Sequence, residues 1–398
     1  MTQTRTSAPT VRRAQRRRVV GFVAVLLTVT ALLFGVPLWT LVLAPAWPGP
    51  VTLAGILAFA VAALAQPYLM YLGHGRGSDA AARAGDTLLG VIWVLFTWSV
   101  LGSVAGLILA LVGVDAPLRQ RTVAGAVLAV AVGLLAWGYH EAMRVPRVRT
   151  VEVFLRGLGA GLDGARVVLI TDTHYGPIDR ARWSARVVEV VNSLDADLVC
   201  HTGDIADGSV ARRRPQSVHL GDVRARLAKA YVTGNHEYFG QGADAWLAHM
   251  AELGWEALHN RHIVVERAGA KLVVAGVDDR TAHGSGHPGH GADHATALRG
   301  APAGVPVLLL AHQPRQVDAA VAHHVDLQLS GHTHGGQIWP FHLLVRLDQP
   351  VLHGLSRHGE RTQLYTSRGT GFWGPPFRVF APSEITLLIL RPAEVSPQ

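Results

Sequence analysis

Four charge-free apolar runs near the start of the chain constrain it more than any other feature. They cover about Val19 to Ala46, Val51 to Leu72 with a break at Gln66-Pro67, Thr87 to Val114, and Thr122 to Tyr139. A helix needs roughly 20 apolar residues to cross a bilayer, and four such runs in succession outnumber what one soluble core takes in. They read as a transmembrane unit of about four helices over residues 19–140, behind a basic arm over 1–18. Composition agrees: 49% of residues are hydrophobic, only 16% are charged, and mean hydropathy is positive.

The charge is lopsided. Residues 1–150 carry 13 Arg and no Lys against 4 acidic groups, a balance of +9, whereas the rest of the chain is at −1. The excess basic charge therefore belongs to the apolar half. It points to membrane orientation, and no nucleic-acid partner is expected. Cytoplasmic flanks carry the Arg excess. Arg12, Arg13, Arg16, Arg17 and Arg18 precede the first run, Arg76 and Arg83 lie between the second and third, and Arg144, Arg147 and Arg149 follow the fourth. Only Arg119 and Arg121 dissent. The expectation is a multi-pass protein of the cell membrane with both ends, and its second half, on the cytoplasmic side. A signal-peptide reading of the first run fails on its length and on the spans that follow.

Past a linker over 141–155, the pattern changes to short apolar strands ending in polar loops, over a domain spanning 156–392 with a tail at 393–398. Arg166–Thr171, Ala196–His201, Ala230–Thr233, Lys271–Val277, Val305–Ala311, Val325–Leu329, Gln363–Ser367 and Glu384–Leu390 read as strands. Ala181–Leu194, Val223–Ala228 and Ala243–Leu253 read as helices. The alternation defines an α/β layered fold.

Five strand ends deliver chemistry: Thr171-Asp172-Thr173-His174, Thr202-Gly203-Asp204, Thr233-Gly234-Asn235-His236-Glu237, Ala311-His312 and Ser330-Gly331-His332-Thr333-His334. Open α/β sheets build their sites at such ends. Asp172, His174, Asp204, Asn235, His312, His332 and His334 are oxygen and nitrogen donors too numerous for one tetrahedral ion. They suit two ions about 3.5–4 Å apart, the arrangement that hydrolyses phosphate esters, with Asp204 as the candidate bridge. A lone Cys200 excludes a cysteine-rich metal site and any intrachain disulfide.

In order and spacing these motifs resemble the calcineurin-like metallophosphoesterase superfamily, whose pattern runs D-x-H, G-D-x-x-D, G-N-H-E, H and G-H-x-H. The continuation Gly335-Gly336-Gln337 and the late segment Gly369 to Arg378 look like its membrane-associated YkuE/YaeI-type branch. The resemblance covers about residues 150–392. It implies a four-layer α/β/β/α sandwich behind the transmembrane unit, and two divalent ions (Mn, Fe or Zn). It further implies Asp172, His174 and His334 on one ion, Asn235, His312 and His332 on the other, and Asp204 between them. His236 would contact the phosphate and protonate the leaving oxygen, a metal-bridging hydroxide would attack, and Asp207 and Glu237 would orient ligands. Asp204, Asn235 and His236 are thus the expected catalytic residues.

The expected function is a membrane-anchored hydrolase of a phosphomonoester or phosphodiester, with a lipid-linked substrate in reach of the tether and the bilayer itself as a partner. The competing reading is a sensor or scaffold that binds a phosphorylated ligand without turnover. The loop carrying His283, His287, His290 and His294 reads either as a third metal site or as a solvated lid. Arg212-Arg213-Arg214 reads as a lipid-headgroup contact or a solvated loop. Trp339, Phe341, Phe372 and Trp373 read as an apolar rim or as core.

Overall fold

The structure, a computed structural model, describes residues 8–239 and 242–393. Residues 1–7 of the basic arm and 394–398 of the tail lie outside them. Two compact units are present: Met1–Arg76 with Ala84–Leu135, and Gly77–Arg83 with Ala136–Gln398.

The first unit is built from helices α1 (Ala8–Leu38), α2 (Gly49–Met70), α3 (Asp79–Leu111) and α4 (Ala116–Met143). Stretches of 21 to 33 residues in these helices are long and apolar enough to cross a membrane, by length and composition. α2 does not stop at Gln66-Pro67. Proline removes one backbone donor, yet the helix runs through it, then widens over Tyr71–Gly75, where Arg76 N–H donates to Tyr71 O at 3.0 Å. Asp86, on the second turn of α3, meets His74 Nε2 at 2.9 Å, so a polar pair stands where the sequence suggested only a loop boundary.

The second unit holds twelve strands among the described residues, in two six-stranded sheets. These are β1 (Arg147–Leu155), β2 (Arg166–Ile170), β3 (Leu198–His201), β4 (Ala228–Tyr231), β5 (Glu256–Ala257), β6 (Arg261–Arg267), β7 (Ala270–Gly276), β8 (Val307–Leu310), β9 (Leu327–Ser330), β10 (Gly354–His358), β11 (Thr362–Thr366) and β12 (Glu384–Pro392). One sheet runs β1-β12-β2-β3-β4-β5 and the other β10-β11-β9-β8-β7-β6. Around them lie α5 (Ala181–Ser193), α6 (Val210–Ser217), α7 (Asn235–Phe239), α8 (Ala243–Glu252), α9 (His294–Ala297) and α10 (Val317–Ala322).

Alternation along the strands sorts the layers, because successive side chains leave opposite faces. Val167, Leu169, Leu198, Cys200, Ala230 and Val232 share one core with Leu272, Val274, Leu308, Leu310, Leu327 and Leu329 of the other sheet. The opposite set, Val168, Ile170, Val199 and Tyr231, packs on Trp183, Val187 and Val191 of α5 and on Trp246 and Met250 of α8. On the far side, Val273, Ala275 and Leu309 meet Ala297 of α9 and Ala320 of α10. The result is helix, sheet, sheet, helix: the four-layer sandwich. Each fully buried Val, Leu or Ile contributes roughly 1.5–3 kcal/mol, so the continuous apolar runs of β2, β3 and β8 are what two covered faces require.

Two expectations fail. Residues 147–155, read as linker, form β1, which pairs parallel with β12 along its whole length. Val223–Ala228 is not a helix. Arg226 N–H donates to Ala196 O at 3.1 Å and Leu227 N–H to Asp197 O at 2.8 Å, bonds that draw this stretch into the β4 approach. The helix there is α6, which starts thirteen residues earlier, and two of its arginines are ion-paired. Asp79 holds Arg212 at 2.9 Å and Arg213 at 2.7 Å.

Candidate metal centre

Each of the five polar loops leaves the C-terminal end of a parallel strand, β2, β3 and β4 in one sheet and β8 and β9 in the other, so the first loop residues come together. The turns are tight. Asp172, His174, Asp204, His332 and His334 all adopt positive φ, between 42° and 70°. Such conformations cost about 1–3 kcal/mol each for residues with a Cβ and collect at functional sites. Two glycines permit the approach. A Cβ on Gly234 would stand 2.2 Å from Asp204 Oδ1, and one on Gly331 would stand 2.1 Å from Asp172 Oδ2.

All seven expected donors come together. His334 Nε2 lies 3.4 Å from Asp172 Oδ1 and 3.2 Å from His174 Nε2. Asn235 Oδ1 lies 3.0 Å from His312 Nε2 and 2.8 Å from His332 Nδ1. Asp204 Oδ2 reaches both groups, at 3.5 Å from His174 Nε2 and 3.3 Å from His312 Nε2. Apart from the half-buried His332, these residues are buried.

The surroundings fix which nitrogen faces inward. His312 donates Nδ1–H to Thr202 O at 2.7 Å, so its Nε2 carries the lone pair. Asp207 Oδ1 accepts from His174 Nδ1 at 3.0 Å and from His236 Nδ1 at 2.7 Å, turning both Nε2 atoms toward Asp204. Glu237 accepts three backbone N–H groups, from Gly234 at 2.6 Å, Ile205 at 2.8 Å and Asp204 at 3.0 Å. That carboxylate clips the β3 loop to the β4 loop, a firmer role than ligand orientation.

The electrostatics suit cations. Burial would raise Asp207, but His174 and His236 outweigh it and hold the carboxyl far below its ordinary range. Burial would lower His236, yet Asp204 and Asp207 raise it to about 9. His332 is pushed down to about 3 by burial, with His312 adding to the effect. Facing lone pairs on His174 and its neighbours, with carboxylate and amide oxygens between, form a donor set that accepts borderline and hard divalent ions. The residues present fit two such ions.

Other expectations resolve. Phe372 is buried and lies with its ring 4.6 Å from the Arg180 guanidinium, while Trp373 is 38% exposed with its ring 6.5 Å from His236. Cys200 is buried in the core, its thiol pushed up to about 12 by burial. Arg378 was not singled out by the sequence. It is buried and donates to His334 O at 3.1 Å, Ala381 O at 3.0 Å and Gly371 O at 2.9 Å, and its Nη2 stands 3.1 Å from His334 Nδ1. Its place in a long motif after the last histidine was the available signal.

A two-sheet sandwich with paired donor clusters at its strand ends defines a dinuclear phosphoesterase type of domain. Residues 165–336 match the calcineurin-like phosphoesterase family. A transmembrane protein with metallophosphoesterase domain from Danio rerio is 38% identical over 280 residues, covering 69% of this chain and 63% of that one. An uncharacterised metallophosphoesterase from Campylobacter jejuni is 32% identical over 66% of this chain and 68% of its own length. The uncharacterised metallophosphoesterase YkuE from Bacillus subtilis is 28% identical over 97% of its length. This chain belongs to the calcineurin-like metallophosphoesterases, metal-dependent hydrolases that use two divalent ions. Its match spans less than two thirds of the first vertebrate relatives, 63% and 60% of their lengths. The four helices, apolar and long enough to cross a membrane, and a relative named a transmembrane protein together support a membrane location.

Proposed function

We propose that the protein is a membrane-anchored phosphoesterase that hydrolyses a phosphomonoester or phosphodiester with two divalent ions, at the cytoplasmic face, on a lipid-linked substrate. The observation that carries this reading is the position of Asp204 Oδ2, within 3.5 Å of His174 on one side and 3.3 Å of His312 on the other. One carboxylate oxygen shared by two donor groups is what a pair of ions needs. Asp172, His174 and His334 would hold the first ion and Asn235, His312 and His332 the second, with Asp204 shared between the two groups.

When bound, the two ions supply positive charge for the phosphate and bring the pKa of the attacking water to about 7. The chain's own residues do the rest. Asp207 holds His174 and His236 by their Nδ1 atoms. His236, whose side chain is 22% exposed while His174 and His312 are sealed, meets the incoming ester and passes a proton from Nε2 to the leaving oxygen. General acid catalysis of this kind is worth about 10²–10⁴ in rate. Four spans put the domain beside the bilayer, and the Arg flanks favour the cytoplasmic side.

The test is hydrolysis of phosphomonoester, phosphodiester and phospholipid substrates by the full chain in detergent with Mn²⁺ added. Activity is expected to vanish on chelation and in Asp204→Asn. Turnover that survives either treatment, or tight phosphate-ligand binding with no turnover at any metal loading, sinks the proposal.

A further inference from the structure

A second cluster of metal-binding side chains lies outside the five-loop site and shares no residue with it. His259, just past β5, Asp278, just past β7, and His290, in the glycine-rich loop, each offer one donor atom, and these atoms lie within 4.8 Å of one another. His259 Nδ1 is 2.7 Å from Asp278 Oδ1, and His290 Nδ1 is 3.7 Å from Asp278 Oδ2. The two imidazole rings lie 4.5 Å apart between centroids. Ligands about 2.0–2.1 Å from a tetrahedral ion stand roughly 3.3 Å from one another. Separations of 2.7 and 3.7 Å bracket that value, as the 2.8–3.5 Å separations of the dinuclear donors do.

The ring of His290 is oriented for a cation. Its Nε2–H donates to Asp244 Oδ1 at 3.0 Å, which leaves Nδ1 as the acceptor, 3.1 Å from the Tyr238 hydroxyl and 3.7 Å from Asp278 Oδ2. A carboxylate on the far nitrogen of a histidine is the usual support for a metal ligand, fixing tautomer and ring plane. Asp278 is rigidly placed, 1% exposed, with Gly291 N–H donating to Oδ2 at 2.9 Å. His259 is 38% exposed and opens the site to solvent.

We propose that His259, Asp278 and His290 form a third metal site that takes Zn²⁺ or a similar borderline divalent ion, with water completing the coordination. Imidazole and carboxylate donors suit such ions. The ion fastens the loop around His290 to the ends of β5 and β7. It would take the Nδ1 lone pair that the Tyr238 hydroxyl meets at 3.1 Å, leaving that hydroxyl to Thr233 Oγ1 at 3.0 Å, two residues before Asn235. The site does not depend on the hydrolase reading.

The experiment counts zinc in the full chain in detergent, stripped of metal and then dialysed against micromolar Zn²⁺. His259→Gln and His290→Gln are each expected to bind one zinc fewer per chain than the parent. The same loss of one is expected in the Asp204→Asn background, where failure of the dinuclear centre cannot mimic it. Zinc should also raise the Tm of Asp204→Asn by more than it raises the Tm of Asp204→Asn with His259→Gln. Equal zinc content in the parent and both histidine variants overturns the proposal. So does an equal zinc-induced Tm shift with and without His259, a comparison in which each protein serves as its own folding control.

Discussion

Asp207 supports two histidines with one oxygen, and that sharing makes it the most informative residue to alter. Its Oδ1 meets Nδ1 of both His174 and His236, one an ion ligand and the other the proton donor in the proposed reaction. An amide in its place keeps the shape but accepts more weakly and carries no charge. Losing such support lowers metal affinity or activity about 10–100-fold. Asp207→Asn is therefore expected to lower kcat in that range and to weaken metal retention on dialysis, with the fold intact by circular dichroism; an unchanged kcat and metal content would remove Asp207 from the machinery. A different residue contributes to acid sensitivity. His294 is 7% exposed and stacks on His323 with ring centroids 5.8 Å apart. Burial, and then the neighbouring His323, push it from 6.5 down to about 4, against a smaller pull from Asp293. The unfolded chain thus takes up this proton near pH 6.5 while the folded one resists until about pH 4. Its contribution to stability is whole above pH 6.5 and is lost as pH falls toward 4. At 1.36 kcal/mol per pKa unit, the loss between pH 6.5 and 5 is about 2 kcal/mol. Replacing His294 by Leu should flatten that part of the stability profile, measured as Tm against pH in detergent. A profile as steep as the parent's would assign the acid sensitivity elsewhere.

At the scale of elements, the site was legible because each candidate ligand follows a short strand, and β2, β3 and β8 are almost wholly apolar. Val167 to Ile170, Leu198 to Cys200 and Leu308 to Leu310 are buried on both faces, and such runs advertise themselves in the sequence. β1 did not, since Arg147, Val148, Arg149 and Thr150 at its start are exposed and their charges read as a connection. β6 and β10, at sheet edges, mix polar and apolar residues in the same way. Arg378 was hidden for another reason: nothing local says that a residue 44 positions past His334 returns to cap its carbonyl. Glu237 was visible in its motif, but its task depends on where the β3 loop comes to rest. It accepts N–H groups from two loops, and a charged acceptor's bond is worth about 1.5–3 kcal/mol. Glu237→Gln turns one accepting oxygen into a donor facing a donor. The expected result is a loss of at least about 1.5 kcal/mol, read as a lower Tm, together with poorer metal retention by both halves of the centre. A variant with parental Tm would show that the two loops hold together without the clip.

For the whole molecule, the open question is which side of the bilayer the sandwich occupies, and the structure supplies a reason for the two arginines that disagree with the rest. Arg121 donates to Pro45 O and Ala46 O, each at 3.1 Å, and Arg119 donates to Val114 O at 2.9 Å. Both are spent on backbone carbonyls at the ends of the α1–α2 and α3–α4 turns, where helix termini leave acceptors without partners. They serve the helix ends as well as counting in the orientation balance. The remaining flanks, with Arg76 and Arg83 in one loop and Arg144, Arg147 and Arg149 after α4, favour a cytoplasmic domain by the positive-inside bias. Separating the two roles gives the prediction. Arg121→Gln should lower the Tm of the detergent-solubilised chain while leaving topology unchanged, whereas neutralising Arg144, Arg147 and Arg149 together should weaken or scramble orientation. A reporter fused after Gln398 that is active only in the cytoplasm reads this out. Parental activity of a reporter that works only outside the membrane would reverse the placement, and with it the leaflet from which a lipid-linked substrate could be drawn.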